Sequence, residues 1–185
     1  MDLLPFDELN KVEDGLSIHF NADGKIASKQ DAEDIIDELL DLFLLATAHG
    51  MEAVNYDMGS SVALSSDDAL GIVDAEIEGK TWRDRVMEYY ENGGSEYDIR
   101  RIIETESHRD ANAAAYETAR QAGATTKTWH CLMLPTSRDS HIYLNNVTAP
   151  IDGEFYSYKG GSTLYPGQWG IAEEDCNCVC YCTFS

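Results

Sequence analysis

Near its C-terminus the chain places cysteine at every second position: Cys176, Cys178, Cys180 and Cys182. On one extended strand all four would share a face, with neighbours roughly 6.5–7 Å apart. A disulfide needs Cβ atoms at about 3.5–4.5 Å, so adjacent pairs cannot bond unless the strand bends. Structural zinc usually draws on cysteines two to four residues apart, and Cys-x-Cys departs from that spacing. The residues therefore read first as reduced thiols acting as small buried hydrophobes. A zinc site joining His141, Cys178 and Cys180 with Cys131 is the alternative, and disulfide formation on oxidation is a third. Zinc is thus the one cofactor to weigh; no other is expected.

Catalytic constellations are weaker. Asp139-Ser140-His141 contains the letters of a triad, but sequence adjacency is not triad geometry. Glu104 and Glu106 lie two apart and would not face each other on a helix. No glycine loop followed by Lys-Ser/Thr is present to cradle phosphate. His19, His49 and His130 are isolated and read as structural. No enzyme is required, and a metal-dependent or ADP-ribosyltransferase-like activity is the alternative.

These residues need elements to hold them, and the periodicities predict an α+β fold, with about four helices followed by a small, turn-rich antiparallel module. Residues 1–27 read as an arm, with alternation over Leu16–Phe20 and an Asn21–Gly24 turn compatible with a short strand or hairpin. An acidic helical part follows over 28–94. Ser28 caps a helix reaching His49, with Ile35, Ile36, Leu39, Leu40, Phe43 and Leu44 as its apolar stripe and Gly50 as its stop. A second helix opens at Ser65 or Ser66, with Leu70, Val73 and Ile77 inward, and ends at Gly79. Thr81 starts a third, with Trp82, Val86 and Tyr89 or Tyr90 inward, stopped by Gly93-Gly94. Residues 95–185 combine a long helix, capped by Ser95 and running to about Ala122, with the β-rich module. On that helix Arg101, Glu104, His108 and Asn112 line one face. Such a stripe is either solvated or turned toward the C-terminal module. From Thr125 the period becomes two through Met133, and Ile142–Leu144, Glu154–Tyr158 and Cys178–Phe184 are further strand candidates.

The net charge of −21 is unevenly spread. Residues 1–100 hold 24 Asp+Glu against 7 Lys+Arg, and residues 101–185 hold 10 against 6. This balance argues against direct binding to a nucleic-acid backbone, which needs basic clusters. It fits a repulsive, solubilising surface, or an acidic face (Asp31, Glu33, Asp34, Asp37, Glu38, Asp41, Asp67 and Asp68) that docks on a basic partner. Met1–Phe6 lacks the basic and apolar regions of a signal peptide, and Leu39–Ala48, interrupted by Asp41, is too short to span a bilayer. A soluble protein made in a cytoplasm, away from membranes, is expected.

The order of several short motifs resembles the minor head proteins of tailed bacteriophages, the Mu F-like head-morphogenesis family. The similarity runs from about residue 77 to the end. It begins with Gly79-Lys80-Thr81-Trp82-Arg83-Asp84-Arg85 and Arg101 through Arg109, which holds Glu104, Glu106 and His108. Asn112, Ala119 to Gly123, Lys127-Thr128-Trp129, Arg138-Asp139-Ser140-His141 and Leu144 follow. Pro150-Ile151-Asp152, Phe155, Tyr165-Pro166-Gly167 and Asn177-Cys178-Val179-Cys180 complete it. Three positions depart from the pattern. Leu134-Pro135-Thr136 stands where the family has Asp-x-Arg, Asn145-Asn146 where it has Asp-Gly after the leucine, and Val179 where it has arginine; Cys176 and Cys182 are extra.

The resemblance implies a virion component at the portal vertex or inside the capsid, made in the host cytoplasm. Its partners would be portal or capsid proteins, and it would have no established catalytic activity, although some relatives are fused to toxin domains. The concentrated acid and the departures from the motif leave a second expectation open: a phage-encoded inhibitor of the anti-CRISPR or anti-defence type, docking on a basic nucleic-acid-binding host protein.

Overall fold

The computed structural model describes residues 11–12 and 15–185; the arm expected over residues 1–27 therefore lies largely outside the described residues. The architecture is α+β, with helices first and a small antiparallel sheet after them. Four longer helices lead: α1 (Lys29–Met58), α2 (Ser66–Val73), α3 (Trp82–Asn92) and α4 (Glu96–Gln121). Then come β1 (Thr126–His130), α5 (Asp139–Leu144), β2 (Thr148–Pro150), β3 (Phe155–Tyr156), β4 (Ser162–Thr163), α6 (Ala172–Asp175) and β5 (Tyr181–Phe184). Strand β1 is central, antiparallel to β2 on one side and β5 on the other, with Thr128 opposite both Thr148 and Thr183. Strands β3 and β4 form a separate ribbon.

The helix starts follow local chemistry. Ser65 and Thr81 each accept a bond from a backbone amide three residues on, while Asp68 and Asp84 reach back to the cap amides. Such reciprocal caps satisfy donors that the first turn leaves free. Asp98 likewise accepts from both Ser95 N and Ser95 Oγ.

Several helix and strand ends differ from expectation. Helix α1 runs through Gly50 to Met58 and stops at Gly59, which adopts the left-handed conformation. Gly50 is not punctuation but a point inside α1 where the backbone of α4 comes close, at Ala111. Helix α2 ends at Val73, Gly79 belongs to the Ile77–Lys80 turn, and Leu70 is exposed rather than inward. Leu16–His19 is a 3-10 turn rather than a strand, and the hairpin reduces to one bridge, Phe20 to Ile26. Asn21 Oδ1 closes it by accepting from Asp23 N and Lys25 N. Ile142–Leu144 is helical within α5, and the strand expected from Cys178 begins only at Tyr181.

Three apolar clusters border α4, one of them small, where Val54, Ala115, Ala119 and Ala124 pack at its C-terminal end. Ile35, Leu39, Phe43, Val73, Trp82 and Val86 pack with Ile99, Ile102 and Ile103 of α4, so this core spans the boundary expected at residues 94–95. Another surrounds Trp129, with Leu144, Phe155, Cys178, Cys180 and Cys182. In the middle of α4, between the first of these cores and the C-terminal module, Glu106, Arg109, Asp110 and Asn112 are all buried. Buried polar groups persist only where partners are built for them, so the middle of α4 is a polar seam between two cores.

His19 is not isolated. Its Nδ1 lies 3.1 Å from Asp31 Oδ1 and its Nε2 3.3 Å from Glu38 Oε1. Burial pulls the ring pKa down, but the bonds and charges of Asp31 and Glu38 outweigh it and hold it above 6.5. A raised folded pKa gives stability that is full below the unfolded value of 6.5 and is lost as pH rises through the folded value. The stability of the wild-type chain should therefore fall as pH rises above about 6.5, and His19→Gln should flatten that slope. Urea midpoints taken across neutrality check this; parallel slopes for the two chains would refute it.

Candidate functional site

Helix α5, the turn after α6 and the end of β1 bring His141, Cys178, Cys180 and Cys131 to one place beneath Trp129. His141 Nδ1 lies 3.5 Å from both Cys178 Sγ and Cys180 Sγ. Only 2% of His141 is exposed, with Trp129 edge-on at 5.6 Å and Trp169 stacked at 6.1 Å. The cysteines do not share a strand face. Cys176 follows α6, Asn177 takes φ 54, and this turn delivers Cys178 and Cys180 to the same imidazole. The regular alternation assumed for 176–182 is broken, so the strand-spacing objection to a shared site is removed. All five cysteines are free thiols.

The opposite ring nitrogen has its own partner. Glu174 Oε2 sits 2.9 Å from His141 Nε2, within ion-pair reach though out of line for a hydrogen bond. The same oxygen accepts from Ser140 Oγ at 2.9 Å. The carboxylate that attends His141 is therefore Glu174 and not Asp139, which is exposed at the start of α5. Ser140 is engaged with Glu174 and does not face His141 as a nucleophile. No Asp139-Ser140-His141 triad forms.

The thiols differ electrically. A hydrogen bond from Cys180 holds the Cys178 thiol well below the usual thiol range against burial, and His141 adds to the effect. Cys180 is driven the other way, chiefly by that bond and by burial, with the neighbouring Cys131 adding to it. Cys182, away from the imidazole, is pushed up to about 12 by burial and is a packing thiol. A cleft of about 400 Å³ opens onto the cluster, lined by Glu104, Cys131, Arg138, His141, Asn177 and Cys180 among others.

The remaining motif residues divide between this site and the polar seam. Glu106 pairs with Arg85 and, at 2.7 Å, with Arg109 Nη1. Arg109 also bonds Asp110 and donates to the Ile72, Val73 and Ala75 carbonyls around the end of α2. Asn112 donates to the Cys180 carbonyl at 3.1 Å and lies 3.2 Å from His108 Nδ1. Arg138 donates to the Cys176 carbonyl, and Asn177 N to Thr105 Oγ1. Of the polar stripe on α4, His108 and Asn112 are buried toward the C-terminal module. Glu104 stays exposed, and half-buried Arg101 donates to Tyr89 OH.

Glu174 escaped sequence reasoning, since it stands far from its partners in the chain. Arg85 and Lys127 stand in motif pieces with no role assigned; Arg85 pairs with Glu106, and Lys127, fully buried, bonds the Ile151 carbonyl at 2.6 Å. Only the Lys-Thr-Trp motif marked its neighbourhood.

The acidic residues have mixed roles. Asp31 and Glu38 attend His19, Asp34 accepts from Gln30, Glu33 pairs with Lys29, and Asp68 caps α2. Glu33, Asp37 and Asp41 recur at helical spacing on the exposed side of α1, and Asp67 is exposed as well. Among the described residues no helix is long and apolar enough to cross a membrane. No family model, curated protein or solved structure matches this chain.

Proposed function

We propose that the chain is a structural protein of a tailed bacteriophage head, of the minor head or head-morphogenesis type, working through protein contacts at the portal or capsid interior. One observation carries this reading: motif pieces far apart in sequence are one another's physical partners. A Cβ on Gly167 would lie 3.0 Å from Arg109 Cα, so Tyr165-Pro166-Gly167 seats directly on the Arg109 turn of α4. Asn112 holds the Cys180 carbonyl, Lys127 holds the Ile151 carbonyl, and Trp129 packs edge-on to Phe155 at 5.2 Å. Residues that would be scattered by chance make a mutually consistent unit, as a module kept for its fold would require. Mass spectrometry of purified virions and proheads tests the proposal. Peptides of this chain should appear in one or both, and their absence from both overturns it.

A second reading rests on a different observation, the outward row Glu33, Asp37 and Asp41 on α1 with Asp67 on α2. A dense anionic face of this kind suits fast, salt-sensitive docking on a basic nucleic-acid-binding host protein, as an inhibitor of host defence would need. Pull-down from host lysate at low and moderate salt is the test. A basic partner lost with Asp37→Lys/Asp41→Lys supports it, and recovery of no such partner refutes it.

A further inference from the structure

His141, Cys178 and Cys180 turn three ligand atoms toward one point. Both sulfurs lie 3.5 Å from the same nitrogen, Nδ1. That nitrogen carries at most one hydrogen, so it can donate to only one thiol at a time. A cation set among the three atoms would serve all of them together.

We infer that His141, Cys178 and Cys180, with Cys131 as the fourth ligand, hold a zinc ion. The spacing fits the metal. A tetrahedral zinc with Zn–N of about 2.05 Å and Zn–S of about 2.3 Å sets nitrogen and sulfur about 3.6 Å apart. Both separations in the protein are 3.5 Å, and the three ligand atoms lie within 4.8 Å of one another. The Cys131 thiol lies outside that three-atom group but neighbours Cys180 on the wall of the same cleft, which makes it the thiol available for the fourth position. Thiolate and imidazole donors select zinc over magnesium or calcium, which take oxygen.

The surroundings are those of a metal ligand set. Zinc-bound histidines turn their second nitrogen to a carboxylate, and that partner is in turn bonded. Here His141 Nε2 faces Glu174, whose same oxygen is held by Ser140. Trp129 and Trp169 cover the ring, and the Asn112 bond to the Cys180 carbonyl fixes the backbone that carries one sulfur. The cleft supplies the entry path. On binding, each cysteine ligand gives up its thiol proton to solvent and the imidazole stays neutral. This inference does not depend on the phage reading, since a zinc module could serve either proposed role.

The test uses the full chain, expressed in zinc-supplemented medium and purified without chelator under reducing conditions. Elemental analysis should find about one zinc per chain, and cobalt(II) substitution should give a tetrahedral spectrum with strong thiolate charge transfer. His141→Ala and Cys178→Ser should lose the metal, Glu174→Gln should weaken binding by about 10–100-fold, and Cys176→Ser should retain it. Should the ligand variants fail to fold, the wild-type chain still decides. Chelation should then expose the protected thiols to alkylation, and added zinc should protect them again. Zinc well below stoichiometry, a cobalt spectrum without thiolate bands, a Cys178–Cys180 disulfide, or full metal retention in a folded Cys178→Ser chain would overturn the inference.

Discussion

Arg109→Met should destabilise the protein by about 3–5 kcal/mol, the scale for breaking one side of a buried ion pair. The guanidinium serves Glu106 and Asp110 and three main-chain carbonyls, those of Ile72, Val73 and Ala75. Removing it takes the shared donor from Glu106 and Asp110 and a partner from the Val73 carbonyl, the buried one of the three. Arg85 still attends Glu106 but makes no contact with Asp110. Arg109→Lys should recover only part of the loss, because one ammonium cannot span the fork that five guanidinium hydrogens fill. Asp110→Asn makes the contrast. Burial already pushes the Asp110 carboxyl far up toward its neutral form, against the pull of Arg109, so the amide should cost only about 1 kcal/mol. Urea denaturation at neutral pH measures all three. An Arg109→Met chain within about 1 kcal/mol of wild type would show that the seam does not hold α4 to α2.

That prediction bears on how the motif residues work. In the sequence, Glu106, His108, Arg109 and Asn112 stand among polar letters and resemble a candidate reactive cluster. In the fold most of their hydrogen bonds go to main-chain carbonyls or to each other, so they fasten α4 between two cores. What could be read from the sequence was governed by local physics. Ser28, Ser65, Thr81 and Ser95 as helix starts, the stripe through Ile35, Leu39 and Phe43, and the change to period two at β1 all come from short-range rules. What could not be read depends on approach across the chain. Glu174 has no sequence signal linking it to His141, because the two meet only after α6 folds back beneath α5. Ideal strand spacing speaks against a shared Cys178–Cys180 site, but the turn at Asn177 removes that premise. Leu70 is exposed although Val73 and Ile77 of the same apolar pattern are buried, a choice of face that depends on how α2 lies against its neighbours.

Gly50 shows the same limit from the other side, and its replacement should have the second large effect. A glycine after an apolar stripe reads as a stop, since the residue is costly inside a helix. In the fold it is where α1 and α4 cross. A Cβ built there would stand 2.1 Å from the Ala111 carbonyl oxygen and 2.9 Å from Ala111 Cα, both backbone atoms of α4. Ordinary contact begins at 3.4 Å, so the helices must part by more than an ångström, and no side-chain rotation can relieve it. Gly50→Ala gains about 1 kcal/mol of helix propensity, but overpacking against rigid backbone should exceed this and leave a net loss of about 2 kcal/mol or more, with Gly50→Val worse. Gly71→Ala is the matched control. It lies in α2 with nothing within 4 Å of its added Cβ, so propensity acts alone and stability should rise by about 0.5–1 kcal/mol. Opposite signs for two identical substitutions, read from thermal or urea midpoints, would isolate helix approach as the cause. A Gly50→Ala chain as stable as Gly71→Ala would mean that α1 and α4 do not cross at Ala111. Ala111 lies between Asp110 and Asn112, so parting the helices there also pulls on the Asn112 bond to Cys180. The inferred zinc should therefore be held less well by the Gly50→Ala chain than by the Gly71→Ala chain.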